Sequence, residues 1–282
     1  MRTTPGARLR CEIASCEILP FIGIYDAFSA ALAARHFDAL FVSGFGFAAS
    51  HHGLPDVGFV TWSEIAAFVQ RLRAVLPEHH LLVDIDDGYG DPEVAAHVVT
   101  VLEGLGASAV VLEDQRRPRR CGHFDGKQIL DVDEYVPKLE RVLAARRDLV
   151  VIARTDSSDP DDIVRRMAVY ADAGADAVLA DGLKDLAVLR AIRARVRVPV
   201  AFNQIAGGKS APCTLGELRE AGASLAIYST PCLFAAQSAI EDAMVALREH
   251  DGTLARGHSG IGVADCTAVL NANLGRPANP ER

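Results

Sequence analysis

The chain has 282 residues, half of them hydrophobic, which is enough apolar side chain for one large core or two small ones. A net charge of −8 and a pI of about 5.6 exclude a nucleic-acid surface. Six cysteines (11, 16, 121, 213, 232 and 266) form no CxxC pair, no signal core follows the early arginines, and no apolar run is long enough for a membrane span; a cytoplasmic protein without a membrane partner is expected.

Short apolar runs then alternate with amphipathic stretches along the chain. Strands are predicted at 19–25, 39–43, 81–86, 109–113, 149–155, 177–181, 200–204 and 225–229. Helices are predicted at 27–36, 63–76, 92–105, 132–147, 160–173, 184–195, 214–221 and 231–249. Most strand runs are continuously apolar, as in a parallel sheet buried on both faces. Eight strand–helix units without a linker predict one domain over 1–282, a (β/α)8 TIM barrel with its core at about 18–250. A doubly wound open sheet is the alternative topology. The tail 251–282, rich in Gly, Asn, Pro and Ala, is predicted to hold one more helix at 264–273 before a frayed end.

In a parallel barrel the chemistry sits where strands end. Ser43-Gly44 closes the second strand, and Asp84 and Asp86 close the third, two residues apart and so on one side of a pleated strand. Glu113-Asp114 closes the fourth, Arg154-Thr155-Asp156 the fifth, Asp181 the sixth and Asn203-Gln204 the seventh. Isolated polar ends would be caps, but a ring of acids repels itself unless something neutralises it. A hard divalent cation at Asp84 and Asp86 is the favoured neutraliser, since Mg2+ takes one or two carboxylates and keeps waters. After Glu113-Asp114 the run from Gln115 to His123 carries four arginines, Cys121 and His123. Those arginines predict a lowered Cys121 pKa and a thiolate, against the blander reading of a charged surface loop. Asp87, Asp91, Asp159, Asp161 and Asp162 read as turn and N-cap acids, and the remaining cysteines as small hydrophobes. Asp156 suits holding Arg154 as well as touching substrate, and Lys209 suits the loop as well as water.

These residues resemble the isocitrate lyase/phosphoenolpyruvate mutase superfamily from about Ile18 to Leu247. The matching segments are Tyr25 to Ala30, Ser43 to Gly46, Gly53 to Asp56, Asp84 to Gly90, Glu113 to Gln115, Arg120 to His123, Ala153 to Asp156 and, more weakly, Gly207 to Lys209. The resemblance implies a barrel, a homo-oligomer (tetramer or dimer) and a last helix swapped onto a neighbouring subunit. It implies Mg2+, with Mn2+ as substitute, bound by Asp84, with Asp56, Asp86 and Glu113 holding its waters. Ser43, Gly44 and the backbone near Gly46 would orient a substrate carboxylate and donate to a developing oxyanion. Arg154 would clamp the carboxylate or oxyanion, and Cys121 would protonate the aci-anion formed on cleavage. Gly122, His123 and Asn203 would bind the second product's carboxylate, with Asp181 beside them, while residues 115–126 close over the ligand.

The Arg119-Arg120-Cys121-Gly122-His123 loop resembles the carbon–carbon lyase branch, although carboxyphosphonoenolpyruvate mutase-like members share it. The expected activity is cleavage of a small 2-hydroxy or 2-oxo di- or tricarboxylate into a 2-oxo acid and a carboxylate. A phosphonate-handling mutase or hydrolase is the alternative, and a non-catalytic metabolite-binding homologue ranks below both. Asp181-Gly182 replaces the family's Glu-Ala, Asn203-Gln204-Ile205-Ala206 lacks the Thr and Glu of methylisocitrate lyases, and Phe41 replaces a tyrosine, so an altered substrate is expected.

Overall fold

In the computed structural model, which describes residues 3–124, 126–210, 212–253 and 260–275, eight parallel strands close into one barrel. They are β1 (Leu19–Ile24), β2 (Ala39–Val42), β3 (His80–Asp84), β4 (Ala109–Glu113), β5 (Val150–Thr155), β6 (Ala177–Ala180), β7 (Val200–Gln204) and β8 (Leu225–Tyr228). Each pairs with the next, and β8 returns to β1 from Leu19↔Leu225 to Ile22↔Tyr228, which rules out the open sheet. The helices are α1 (Pro5–Ser15), α2 (Ala27–Ala33), α3 (Gly44–Phe47), α4 (Trp62–Val75), α5 (Pro92–Gly104), α6 (Val132–Ala145), α7 (Pro160–Asp172), α8 (Leu186–Arg195), α9 (Leu215–Glu220), α10 (Pro231–Glu249) and α11 (Val263–Asn273). The predicted tail helix is thus α11; the end of the tail, 276–282, lies outside the described residues.

Alternate strand residues face two separate cores, which is why the strands read as unbroken apolar runs. Phe21, Phe41, Leu82, Val111, Ile152, Leu179 and Ile227 fill the barrel, while Val83, Val110, Val151 and Val178 meet the surrounding helices. Helix α1 was not among the predicted elements. Thr4 caps it through Ala7 N–H at 3.3 Å with Pro5 at its start, and Leu9, 1% exposed, joins the interior core. Only Gly6 and Leu9 of α1 are buried, so its apolar periodicity is too weak to announce a helix, and Thr4-Pro5 was the available signal.

Two features place the chemistry. Strand β3 ends at Asp84, short of the predicted Asp86: Asp86 takes φ +50°, and its N–H donates to Asp84 Oδ1 at 3.2 Å. The two acids are therefore neighbours across a turn instead of alternate residues of a strand. On β4 the pleat sends Glu113 towards the rim and Asp114 outward to α7. There Asp114 accepts from Thr155 Oγ1 (2.6 Å), Asp156 N–H (3.0 Å), Arg166 Nη1 (3.1 Å) and Tyr170 Oη (2.7 Å). This buried knot ties the segment after β5 to α7. Tyr170→Phe, which removes the bond to Asp114 and the one Tyr170 Oη accepts from Arg166 Nη1 at 3.1 Å, is expected to cost about 2–3 kcal/mol in urea unfolding; an unchanged midpoint would mean that the other donors suffice.

Candidate active site

The strand ends converge on a cavity of about 30 Å³, roughly the room of one water. Its walls include Ser43, Asp56, Asp84, Cys121, Gly122, His123, Arg154, Asp181 and Asn203, together with apolar Phe41, Phe45, Leu179, Ile205 and Ile227. Nine of the predicted site residues thus share one space, and Asp86, Glu113, Gly44 and Gly46 stand just behind them. Ser43 caps α3, accepting Gly46 N–H at 3.1 Å. A Cβ on Gly44 would stand 3.2 Å from Asp84 Oδ2 and 3.5 Å from Asp86 Oδ1, so glycine is what lets this turn approach the acids.

Arg154 is held by three acids. Its Nε and Nη2 each donate to Asp156 at 3.0 Å, and Nη2 also lies 2.8 Å from Asp181 Oδ2 and 3.3 Å from Glu113 Oε2. Asp156 is therefore the residue that holds Arg154, and Lys127 Nζ, which was not predicted, braces it at 2.8 Å. Burial alone would raise the Asp181 pKa; the Arg154 charge, then His123 and Asn203, hold it far below the usual carboxylate range. Asn203 Nδ2 donates to Asp181 Oδ1 at 2.8 Å and its Oδ1 accepts from Ser229 Oγ at 2.7 Å, which fixes the amide. Asp181, although shorter than the family's Glu, thus reaches both its partners. The glycine beside it, Gly182, takes φ +70°, which side chains rarely adopt.

The loop after β4 folds down over this floor. Gln115, also missed by sequence, braces it reciprocally: Nε2 donates to Arg120 O at 2.7 Å and Oε1 accepts Arg120 N–H at 2.9 Å. Asp87 is a turn acid as predicted, accepting Tyr89 N–H at 3.2 Å, and Arg117 also grips it with two bonds of 2.7 Å. Asp91 and Asp159 are N-caps as predicted. Lys209 meets the loop: its N–H donates to His123 Nδ1 at 2.9 Å and its Nζ to Phe124 O at 3.2 Å. His123 Nε2 then faces Asp181 Oδ1 at 3.5 Å.

The predicted Cys121 thiolate is overturned. Burial, aided by the negative charges of Asp56 and Asp181, pushes the thiol up to about 12, against a lowering hydrogen bond from the His123 backbone and the charge of Arg154. The loop's arginines do not offset this, because Arg117 and Arg119 are committed to acids elsewhere. Cys121 is thus held as a neutral thiol.

Among the acids the immediate neutraliser is Arg119, also missed. Its Nε donates to Glu113 Oε1 at 2.9 Å, its Nη2 lies 3.0 Å from Asp86 Oδ1, and its Nη1 donates to Asp56. Burial pushes Glu113 up to about 7, although Arg119 and Arg154 oppose it, and raises Asp84 and Asp86 as well. Asp86 Oδ1 and Glu113 Oε2 are buried without a hydrogen-bond partner. An all-oxygen donor set with orphaned carboxylate oxygens fits a hard cation. Among the described residues no three His, Cys, Asp or Glu side chains close into a cage, and Mg2+, which keeps several waters, does not require one.

Residues 12–248 match the profile of the family described as phosphoenolpyruvate phosphomutase. The chain is 33% identical over 249 residues to 2-methylisocitrate lyase of Aeropyrum pernix, covering 87% of this chain and 80% of that one. The solved structure of 2,3-dimethylmalate lyase superposes with a TM-score of 0.90 at 29% identity, over 98% of this chain and 94% of that one. Oxaloacetate acetylhydrolase bound to 3,3-difluorooxalacetate superposes at 0.88, also 29% identical, over 98% and 99%. On this match and these relatives, the chain belongs to the phosphoenolpyruvate mutase/isocitrate lyase superfamily.

Proposed function

We propose that this lyase of the superfamily cleaves the carbon–carbon bond beside the oxygen-bearing carbon of a small dicarboxylate, with Mg2+ (or Mn2+) as its metal. The observation that carries the reading is the buried Cys121 thiol in the wall of a cavity that Asp84 and Arg154 also line. Asp84 would hold the metal, with Asp56, Asp86 and Glu113 around its waters. When bound, the metal supplies Lewis acidity towards the carboxylate and carbonyl oxygens of the 2-oxo acid part. Arg154, locked in orientation by Asp156, presents its remaining positive field to the same oxygens. Ser43 and Gly44 position the carboxylate from the opposite wall. Cys121 hands its proton to the carbanion carbon of the departing carboxylate, and Gly122, His123 and Asn203, with Asp181 behind them, hold that product. The loop, once down, keeps water out.

The walls also speak to the substrate. Among the described residues Arg154 is the one arginine or lysine lining the cavity, and it is already shared among three acids, while six apolar side chains, Val111 among them, form much of the wall. Beyond the charge the metal would bring, a third carboxylate would meet no uncommitted arginine or lysine in this wall. With the loop down the cavity holds only about one water, so substrate enters with the loop raised, and the wall chemistry favours a dicarboxylate with a small apolar branch, such as a methyl-substituted malate. Free cysteines throughout agree with a cytoplasmic location. Ile240, Met244 and Val245, exposed on α10, offer an apolar surface for a homo-oligomer. Among the described residues no helix is long and apolar enough to cross a membrane.

The test is 2-oxo acid release from isocitrate, 2-methylisocitrate, citramalate, dimethylmalate, oxaloacetate and phosphonopyruvate, with and without EDTA. Release from a branched malate, abolished by EDTA and restored by Mg2+, is the expected result. The family match to phosphoenolpyruvate phosphomutase favours one second reading, phosphorus–carbon chemistry. Turnover of phosphonopyruvate alone would establish it and sink the first.

A further inference from the structure

The side chain seated among the acids assigned to the metal comes from the loop that follows β4. Arg119, 2% exposed, reaches Glu113, Asp86 and Asp56 at once with the three nitrogens of its fork. Its stem runs against Gly58, where a Cβ would stand 3.3 Å from Arg119 Cγ. Asp84, the acid assigned to the metal directly, is not among its partners. The neutralisation is incomplete: Asp86 Oδ1 lies 3.0 Å from Arg119 without the alignment of a hydrogen bond, and Glu113 Oε2 has no hydrogen-bond donor.

We propose that Arg119 is a resident counter-cation, a latch that holds the loop down over the acid cluster and competes with the divalent cation for the same carboxylates. The proposal rests on the Mg2+ reading above. Four carboxylates in a dry site repel one another, and a guanidinium relieves three of them only while the loop is down. A dication arriving at these acids meets the Arg119 charge at close range, where the dielectric screens it poorly. Either it binds more weakly or the loop lifts. Lifting withdraws Arg119 and bares Asp56, Asp86 and Glu113, so metal uptake and opening for substrate become one exchange. Arg119 is a positioning residue in this scheme, acting through the acids and the loop.

The experiment compares the full chain with Arg119→Gln and Arg119→Lys. Direct Mn2+ titration by electron paramagnetic resonance should show about tenfold tighter binding in Arg119→Gln, with Arg119→Lys between it and the wild type. The metal-free Gln variant should melt below the wild type, and Mg2+ should raise its Tm by more. Equal Mn2+ affinities in wild type and variant would overturn the latch and leave the metal reading standing. No Mn2+ binding in either would overturn both. A second measurement needs no variant: Mg2+ alone should speed hydrogen exchange at the amides of residues 115–124 in the wild-type protein. Unchanged or slower exchange there overturns the latch even if Arg119→Gln fails to fold.

Discussion

Gly122→Ala is expected to lower kcat/KM by about a hundredfold or more while the barrel stays folded. A Cβ built on Gly122 would lie 1.9 Å from Asp181 Oδ2, 2.4 Å from Arg154 Nη2 and 2.7 Å from Asp156 Oδ1. None of these atoms ends a flexible chain. Asp181 is fixed by Arg154 and Asn203, and Arg154 and Asp156 fix each other through two bonds of 3.0 Å. The floor cannot yield without breaking buried ion pairs, so the loop must stay raised. Cys121, one residue away, is then withdrawn from the carbon that the proposed mechanism has it protonate, and water enters. Holding the loop up gives up the Arg119 ion pairs but leaves both apolar cores of the barrel intact, so the urea midpoint should fall while the protein still unfolds from a native barrel. Steady-state kinetics beside urea unfolding checks both halves. A wild-type rate would mean that the closed loop is not the reacting state.

The split between what the sequence disclosed and what it hid has a physical pattern. Every strand was legible, because each parallel strand is buried on both faces and reads as an apolar run of four to six residues. The rim residues were legible for the same reason, as polar side chains closing apolar runs. Pairing across the rim was not. Arg117 and Arg119 stand two apart in one loop, yet the first grips Asp87 while the second reaches Asp56, Asp86 and Glu113. Those partners lie on three different segments, and only the side-by-side pairing of β2, β3 and β4 brings them together. Lys127, beyond the motif, was silent for the same reason. Asp86 was misplaced on a strand because a left-handed turn after β3 leaves no apolar periodicity to betray it. Cys121 misled most directly. Counting nearby arginines predicts a thiolate, but a pKa follows burial and the charges that actually face the group.

Cys121→Ser is expected to reduce turnover by about a thousandfold, within the range attributed to a general acid, while leaving divalent-cation binding intact. In the closed site the thiol is pushed up to about 12, by burial first and then by Asp56 and Asp181. At pH 8 only about one molecule in ten thousand would carry a thiolate, so the group is loaded with the proton that cleavage needs. A serine hydroxyl keeps the size and loses the acidity, since it releases its proton far less readily than a thiol. The same pKa predicts that cleavage shows no alkaline fall from Cys121 across pH 7 to 9. Iodoacetamide at pH 8 should label exposed Cys11 well before buried Cys121, and mass spectrometry reads that order directly. Rapid labelling of Cys121 in the closed protein would indicate a thiolate and return the residue to the role of a base. Wild-type turnover in the serine variant would move the proton donor elsewhere. His123 would then be the next residue to replace, because it lines the same cavity on the same loop.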